Sequence, residues 1–383
     1  MYAATPATQS VLATLDHVVE MDVTSNLRQV LGIALDLART TPFDAVVTQH
    51  DYPSESAAAV AEALKLPFMS LQAVRNARCK EEARRLLDAT GVPSARWALV
   101  SSVTEALRAA QEIGLPVVVK PSSGSDSILA ARCDTPQQVA VAIESILDGR
   151  ENLPRQIREQ LSRGILVEEH LSGSLVSAEI ALQKGKIIRY MISGRVRAIN
   201  DETIELGATM PASIPDDIRE LCFKYAEAVV HALSLDFGFA HIEMIITPRG
   251  PILVEANPRL MGGIMPRLYE IVTGHNILDD LLALHLGHLR TEAPLPLRFA
   301  TTRKIMLAQK GTLSNRCSPA EIAAITSDID VFDAPGILPS ACVARHGIVG
   351  RLVASAPSMA AADARASKAL WDLSELLGVP LVQ

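Results

Sequence analysis

Apolar residues along this chain come in short runs, broken by Gly, Pro and polar clusters, and their spacing switches between strand-like and helix-like periods. HVVEMDV (17–23) and FDAVVTQ (43–49) read as short strands, and ESAAAVAEALKLPF (55–68) as a helix running into a strand. This alternation predicts a small parallel α/β lobe up to about residue 77. CKEEARRLLDATGVP (79–93) reads as a helix stopped by Gly91 and Pro93. A second lobe follows, with strand ARWALV, helix 102–113, strand PVVVKP (116–121), a Ser/Gly loop, strand ILAARC and helix 135–147. GILVEEHL (164–171) is a further strand, and 176–194 reads as a hairpin turning at Lys184 and Gly185. Helices 215–233 and 276–287 flank the stretch FGFAHIEMIITPRGPILVEANPRLMGG (237–263). The tail from Phe299 mixes strands with one late helix, 360–377.

That flanked stretch holds two carboxylates inside strands that otherwise look made for a core. Side chains alternate faces along a strand, so His241 shares a face with Glu243, and Glu255 with Asn257. TPRGP (247–251) is turn chemistry. A hairpin centred on Arg249 sets Glu243 opposite Glu255 and His241 opposite Asn257. Facing side chains lie about 5 Å apart at Cβ, so two like charges there need something positive between or beside them. Oxygen ligands favour a hard cation, and Mg²⁺ suits a site that also holds phosphates, with Mn²⁺ the other candidate. The alternative is an off-centre turn that leaves one Glu in solvent.

Three further segments carry candidate chemistry. VVVKPSSGSDS ends an apolar strand on Lys120 and continues with Ser122, Ser123, Gly124, Ser125 and Ser127. Such a loop can wrap backbone N–H groups and hydroxyls around a phosphate, or be a plain turn; the order of Lys and Gly excludes a Walker A loop. Lys80 opens the helix after ARC and reads equally as a surface lysine. VEEHL puts Glu168 and Glu169 where a strand exits toward Ser172 and Gly173, suited to a ribose and a base edge, or to an ordinary charged strand end. His241, Glu179 and Arg267 remain open between structural and site roles.

Composition narrows the classes. The 383 residues carry 36 basic and 43 acidic side chains for a net charge of −7, without a basic block, which argues against nucleic acid and anionic membrane as partners. No apolar run is long enough to span a bilayer, and Met1 leads into a Thr/Ala/Ser stretch unlike a signal peptide. Five cysteines, scattered singly, read as reduced thiols of a cytoplasmic protein without a zinc site or a disulfide frame.

Taken in order, Lys80, VVVKPSSGSDS, VEEHLSG, HIEMI and VEANPRLMGG resemble the ATP-grasp superfamily, over about 210 residues from Ala77 to Gly287. E-x-N-P-R, a dozen residues after another Glu, is the most specific element. The resemblance implies an α/β fold of α+β lobes: a pre-ATP-grasp lobe at 1–77, apparently shortened; an ATP-grasp domain at 78–290 with a mobile lid at about 101–170; and a mixed lobe at 291–383. It implies that Lys80 and Lys120 neutralise ATP phosphates and that the 122–127 loop closes over them. Glu168, Glu169 and Leu171 would line the nucleoside pocket. Glu243, Glu255 and Asn257 would hold Mg²⁺, and Arg259 would stabilise the transferring phosphoryl group.

The serine-rich loop points within the superfamily to carboxylate–amine ligases, especially those joining L-amino acids. The implied activity is activation of a carboxylate as an acyl phosphate and its capture by an amine, releasing ADP and phosphate. The partners are then small molecules, a carboxylate donor and an amine acceptor, and a homodimer is the assembly left open. Alternatives are a biotin-carboxylase-like or purine-pathway ligase, and a nucleotide-binding protein without catalysis. Ser174 and Leu175 stand where many of these ligases carry an acid after the SG turn.

Overall fold

The computed structural model describes residues 6–123, 129–149, 153, 155, 158, 164–198, 201–288, 290–315 and 318–383. The first 78 residues hold helices Pro6–Leu12, Leu27–Ala38, Ser54–Leu64 and Leu71–Arg78, and no strand among those described. The segments 17–23 and 43–49 run outside regular structure rather than as the expected strands, and the stretch after Leu64 is likewise unpaired. A strand needs a neighbour to satisfy its N–H and C=O groups. None lies beside these segments, and Val18, Val19, Phe43 and Val47 stay exposed.

Helix Lys80–Thr90 follows, closed by Gly91 in the left-handed region at φ 72°. It leads to an antiparallel sheet of β1 (Trp97–Val100), β2 (Val117–Pro121), β3 (Ala131–Cys133) and β4 (Ile165–Glu169), ordered β1-β4-β2-β3. Val117 and Val119 point into a core shared with helices Val103–Ile113 and Pro136–Gly149. Alternation therefore turns Lys120 to the opposite face. Pairing of Val118 with Glu168 and of Lys120 with Leu166 puts Glu168 on that same face.

The remaining strands are β5 (Ser174–Gln183), β6 (Lys186–Ala198), β7 (Asp201–Met210), β8 (Gly238–Thr247), β9 (Gly250–Asn257), β10 (Phe299–Met306), β11 (Gly311–Thr312), β12 (Val331–Asp333), β13 (Cys342–Val343) and β14 (Ile348–Ala356). Eight of them form one sheet, ordered β12-β14-β10-β7-β6-β5-β8-β9, and β11 pairs with β13. Strand β7, absent from the sequence reading, is the link: it joins β6 to β10, so the strands of the tail extend the sheet that carries the EANPR segment. Gly207 makes that join close, since a Cβ there would sit 1.9 Å from the Thr302 carbonyl oxygen.

Period-two alternation gives the large sheet two unlike faces. Val176, Ala178, Ile180, Ile242, Met244 and Leu253 form a core with helices Leu71–Arg78 and Asp216–Ala232. Ser177, Glu179, His241, Glu243, Glu255 and Asn257 occupy the other face. Beyond them that face is covered by helices Met265–Thr273 and Ile277–His285 through Ala181, Phe239, Leu268 and Leu281. Gly173, before β5, has φ 146° and lies against the Ile246 carbonyl, where any Cβ would clash at 2.1 Å. No described helix is long and apolar enough to cross a membrane.

Candidate active site

The β8–β9 hairpin sets Glu243 directly opposite Glu255 and His241 opposite Asn257. The route to that register differs from a hairpin centred on Arg249. Thr247 pairs with Gly250, so the turn is the two residues Pro248 and Arg249, and a bulge between Glu255 and Leu253 restores the pairing. The bulge leaves backbone groups off the ladder, and buried side chains satisfy them. The Leu253 N–H donates to Tyr225 Oη at 2.7 Å, and the Val254 carbonyl accepts from Arg84 Nη2 at 2.9 Å.

Each of the facing carboxylates has its own protein cation. Glu255 Oε2 lies 3.0 Å from Lys80 Nζ, and its Oε1 accepts from Asn257 Nδ2 at 3.0 Å. Glu243 Oε1 takes Arg195 Nη2 at 3.2 Å and His241 Nε2 at 2.8 Å. His241 Nδ1 in turn meets Glu179 Oε2 at 2.8 Å, and Ser177 Oγ donates to Glu179 Oε1 at 2.7 Å. Arg195 also donates to Ser177 Oγ at 3.2 Å and lies 3.5 Å from Glu205. The repulsion between Glu243 and Glu255 is thus offset within the protein by lysine, guanidinium and imidazole. Burial pushes both carboxyls up, but these partners prevail and hold both below the usual carboxylate range.

The second sheet contributes another ion cluster. Glu168 accepts from Lys120 Nζ at 2.6 Å and from Arg84 Nε at 2.9 Å. Burial pushes its carboxyl up, yet the two cations outweigh this and hold it at about 2. Both its oxygens are turned to protein cations. Burial lowers the Lys120 ammonium, with Glu168 opposing. Glu169, at the strand end, pairs with Arg249 of the β8–β9 turn at 2.7 Å, and Leu171 lies just beyond, half-buried. Ser122 lies between the lysines: its carbonyl accepts from the Lys80 N–H at 2.9 Å, and its buried Oγ has no hydrogen-bond partner among the described residues. Gly124, Ser125 and Ser127 lie outside the described residues.

Arg259 enters from the loop after β9. Its Nε and Nη2 grip Asp51 at 2.8 and 2.6 Å, and Arg78 Nη1 lies 3.0 Å from the same carboxylate. Nη1 donates to the Leu260 carbonyl at 3.0 Å. With the Nε–Nη2 edge engaged, an incoming phosphoryl oxygen can meet only the Nη1–Nη2 edge. Arg267 lies apart, in a surface ion pair with Glu270.

These groups converge on one cavity of about 410 Å³. Lys80, Lys120, Ser123, Arg195, His241, Glu243, Glu255 and Arg259 line it. Glu168, Glu169, Leu171 and Asn257 are not among its lining residues. Among the described residues no three His, Cys, Asp or Glu side chains are arranged to hold a metal. Glu243 and Glu255 supply two oxygen donors, which fits Mg²⁺ when phosphate and water oxygens complete the shell.

Residues 113–267 match the sequence profile of the ATP-grasp domain. The chain is 25% identical to the uncharacterised protein y4rH of Sinorhizobium fredii over 396 aligned positions, which cover 97% of this chain and 77% of that protein. A stretch of 208 positions, 52% of this chain, is 27% identical to the carbamoyl phosphate synthase large chain of Thermotoga neapolitana but spans only 17% of that protein. Among solved structures, the L-amino acid ligase from Bacillus licheniformis superposes with a TM-score of 0.73 at 19% identity, covering 90% of this chain and 83% of that one. That likeness is one of fold.

Within the matched segment, His241 is the group whose charge decides the network. Burial lowers its pKa, but Glu179 and Glu243 on either side raise it to about 9. The imidazolium contributes stability that is complete below the unfolded value of about 6.5 and is lost as pH climbs through the folded value. Thermal stability should therefore decline between pH 7 and pH 9.5. A histidine resonance titrating near pH 9 by NMR is expected; a His241 midpoint near 6.5 would remove the ion-pair account.

Sequence reading missed Arg195, Asp51, Arg78 and Arg84. Arg195 was accessible in principle, since strand alternation puts it on the face of Ser193 and hence of Ser177. Asp51 and its 208-residue separation from Arg259 leave no local pattern to find.

Proposed function

We propose that this protein is an ATP-dependent ligase that activates a carboxylate as an acyl phosphate and couples it to an amine, with an amino acid as acceptor. The observation that carries the reading is the convergence of Lys80, Lys120, Glu243, Glu255 and Arg259 on one cavity. Phosphoryl transfer is mostly positioning and charge neutralisation, and this set supplies both. ATP is the co-substrate. Glu243 and Glu255 would hold Mg²⁺, which would supply charge neutralisation for the transferring phosphate.

Lys80 and Lys120 are poised to leave Glu255 and Glu168 for phosphate oxygens. The substrate carboxylate oxygen attacks the γ-phosphorus as the bond to the ADP oxygen breaks. Arg259 meets the phosphoryl oxygens through its remaining edge. The amine nitrogen then attacks the acyl carbon, inorganic phosphate departs, and the amine gives up a proton. An acyl phosphate hydrolyses in water, so we assign the lobe of β1–β4 the role of a lid over the cleft. The Bacillus licheniformis ligase supports the amino-acid reading through its fold.

The nucleotide product tests the mechanism. Incubation with ATP, Mg²⁺ and pools of carboxylic acids and amino acids should release ADP and phosphate. Chromatography showing AMP and pyrophosphate as the main products would overturn the acyl-phosphate route.

A further inference from the structure

The same cavity reaches a part of the sheet that the ATP reading leaves unused. Lys304 of β10 and Arg351 of β14 both line it. They are direct cross-strand partners, so their side chains leave the same face together. Two like charges in that arrangement repel. Lys304 Nζ donates to the Glu205 backbone carbonyl at 2.9 Å, with the Glu205 carboxylate 3.9 Å away. That carboxylate also serves Arg195. Arg351 is half-buried and makes no ion pair with another described residue. Asp333 faces it from β12 but is exposed and is not ion-paired with it. Counting strands, β10 and β14 lie five and six positions from β9. The contacts Lys304–Glu205, Glu205–Arg195 and Arg195–Glu243, at 3.9, 3.5 and 3.2 Å, bridge that separation inside the cavity, so the cation pair lies beside the end at Lys80 and Glu255 rather than on it.

We infer that Lys304 and Arg351 form an anion subsite, and that the substrate sharing the cavity with ATP is dianionic. One carboxylate is activated beside Arg259. The second anionic group, a carboxylate or a phosphate, is held by the cation pair. The inference rests on the ligase reading for the first carboxylate only. A guanidinium with unused donors beside an ammonium suits either anion, by charge-assisted hydrogen bonds.

The test is a binding panel on the full chain saturated with a non-hydrolysable ATP analogue and Mg²⁺. L-glutamate, L-aspartate, glutarate and O-phospho-L-serine are titrated by calorimetry beside glutamine, asparagine, butyrate and serine. At least one dianionic member should bind about tenfold or more tightly than its monoanionic counterpart, as one charge-assisted contact predicts. The phosphoserine and glutamate arms distinguish phosphate from carboxylate. Arg351→Met and Lys304→Met should each erase the preference while leaving affinity for the ATP analogue unchanged. Arg351→Lys should restore part of it, which guards against a folding artefact. No preference for dianions in the wild type, or a preference that survives both methionine variants, overturns the subsite. Failure of the ATP analogue to bind would instead strike the ligase reading, and it is read in the same titrations.

Discussion

Glu255→Gln should lower turnover about 10²–10³-fold while leaving the fold intact, the size of effect seen when one preorganised charge is taken from a transition state. Two oxygens hold the metal position in this reading, and the amide keeps the shape but loses the charge. The ion pairs refine what happens to stability. From the sequence, two facing carboxylates repel, and removing one would relieve the metal-free protein. In the structure Glu255 already has Lys80 at 3.0 Å, and Glu243 has Arg195 and His241. Neutralising Glu255 therefore takes the carboxylate 3.0 Å away from a largely buried lysine, and the melting temperature should fall by a few degrees rather than rise. Steady-state phosphate release and a thermal scan, each at millimolar Mg²⁺, check both halves. Near-normal turnover in Glu255→Gln would sink the metal-bracket reading.

The parts of the molecule legible in the sequence are those set by local rules. Gly91 ends its helix and Lys184–Gly185 turns its hairpin because only certain residues tolerate φ above zero, and both positions adopt it. Lys120 points away from the core because Val117 and Val119 beside it point in. The pairing of Glu243 with Glu255 was also readable, although by a compensation: a shorter turn and a bulge at Val254 add up to the same register. Side chains distant in sequence satisfy the bulge, and no periodicity announces them.

What escaped was decided by partners far along the chain. HVVEMDV and FDAVVTQ have strand-like composition, but a strand exists only where another lies beside it. Glu168 has the look of an exposed charge at a strand end. Its strand instead turns it onto Arg84 and Lys120, where it is buried and doubly paired. Strand β7 is the exception: Ile204, Leu206, Ala208 and Met210 alternate with Glu205, Gly207 and Thr209 in the period of a half-buried strand, so its signal was local and was passed over. Yet β7 is the element that brings Lys304 and Arg351 into the cavity.

The largest stability effect should come from Asp51, a residue with no local signature. Its carboxylate lies between Arg78 and Arg259, with side chains only 7% and 12% exposed. Burial lowers the Arg259 pKa and Asp51 raises it, with the balance on the raised side. Asp51→Asn would leave two buried guanidinium groups facing each other across a neutral amide. Removing one partner from a buried ion pair costs about 3–5 kcal/mol, because the charge left behind has lost both water and counter-ion. Urea unfolding should show a loss of that order. Arg259→Met should cost less, since Asp51 keeps Arg78, and adding it to Asp51→Asn should recover part of the loss by removing one of the stranded cations. That recovery is the decisive reading, because only residues that interact give a non-additive cycle. If the two substitutions simply add, Asp51 does not hold Arg259, and the orientation of the arginine's free edge toward the cavity must be set by the loop around Leu260 instead.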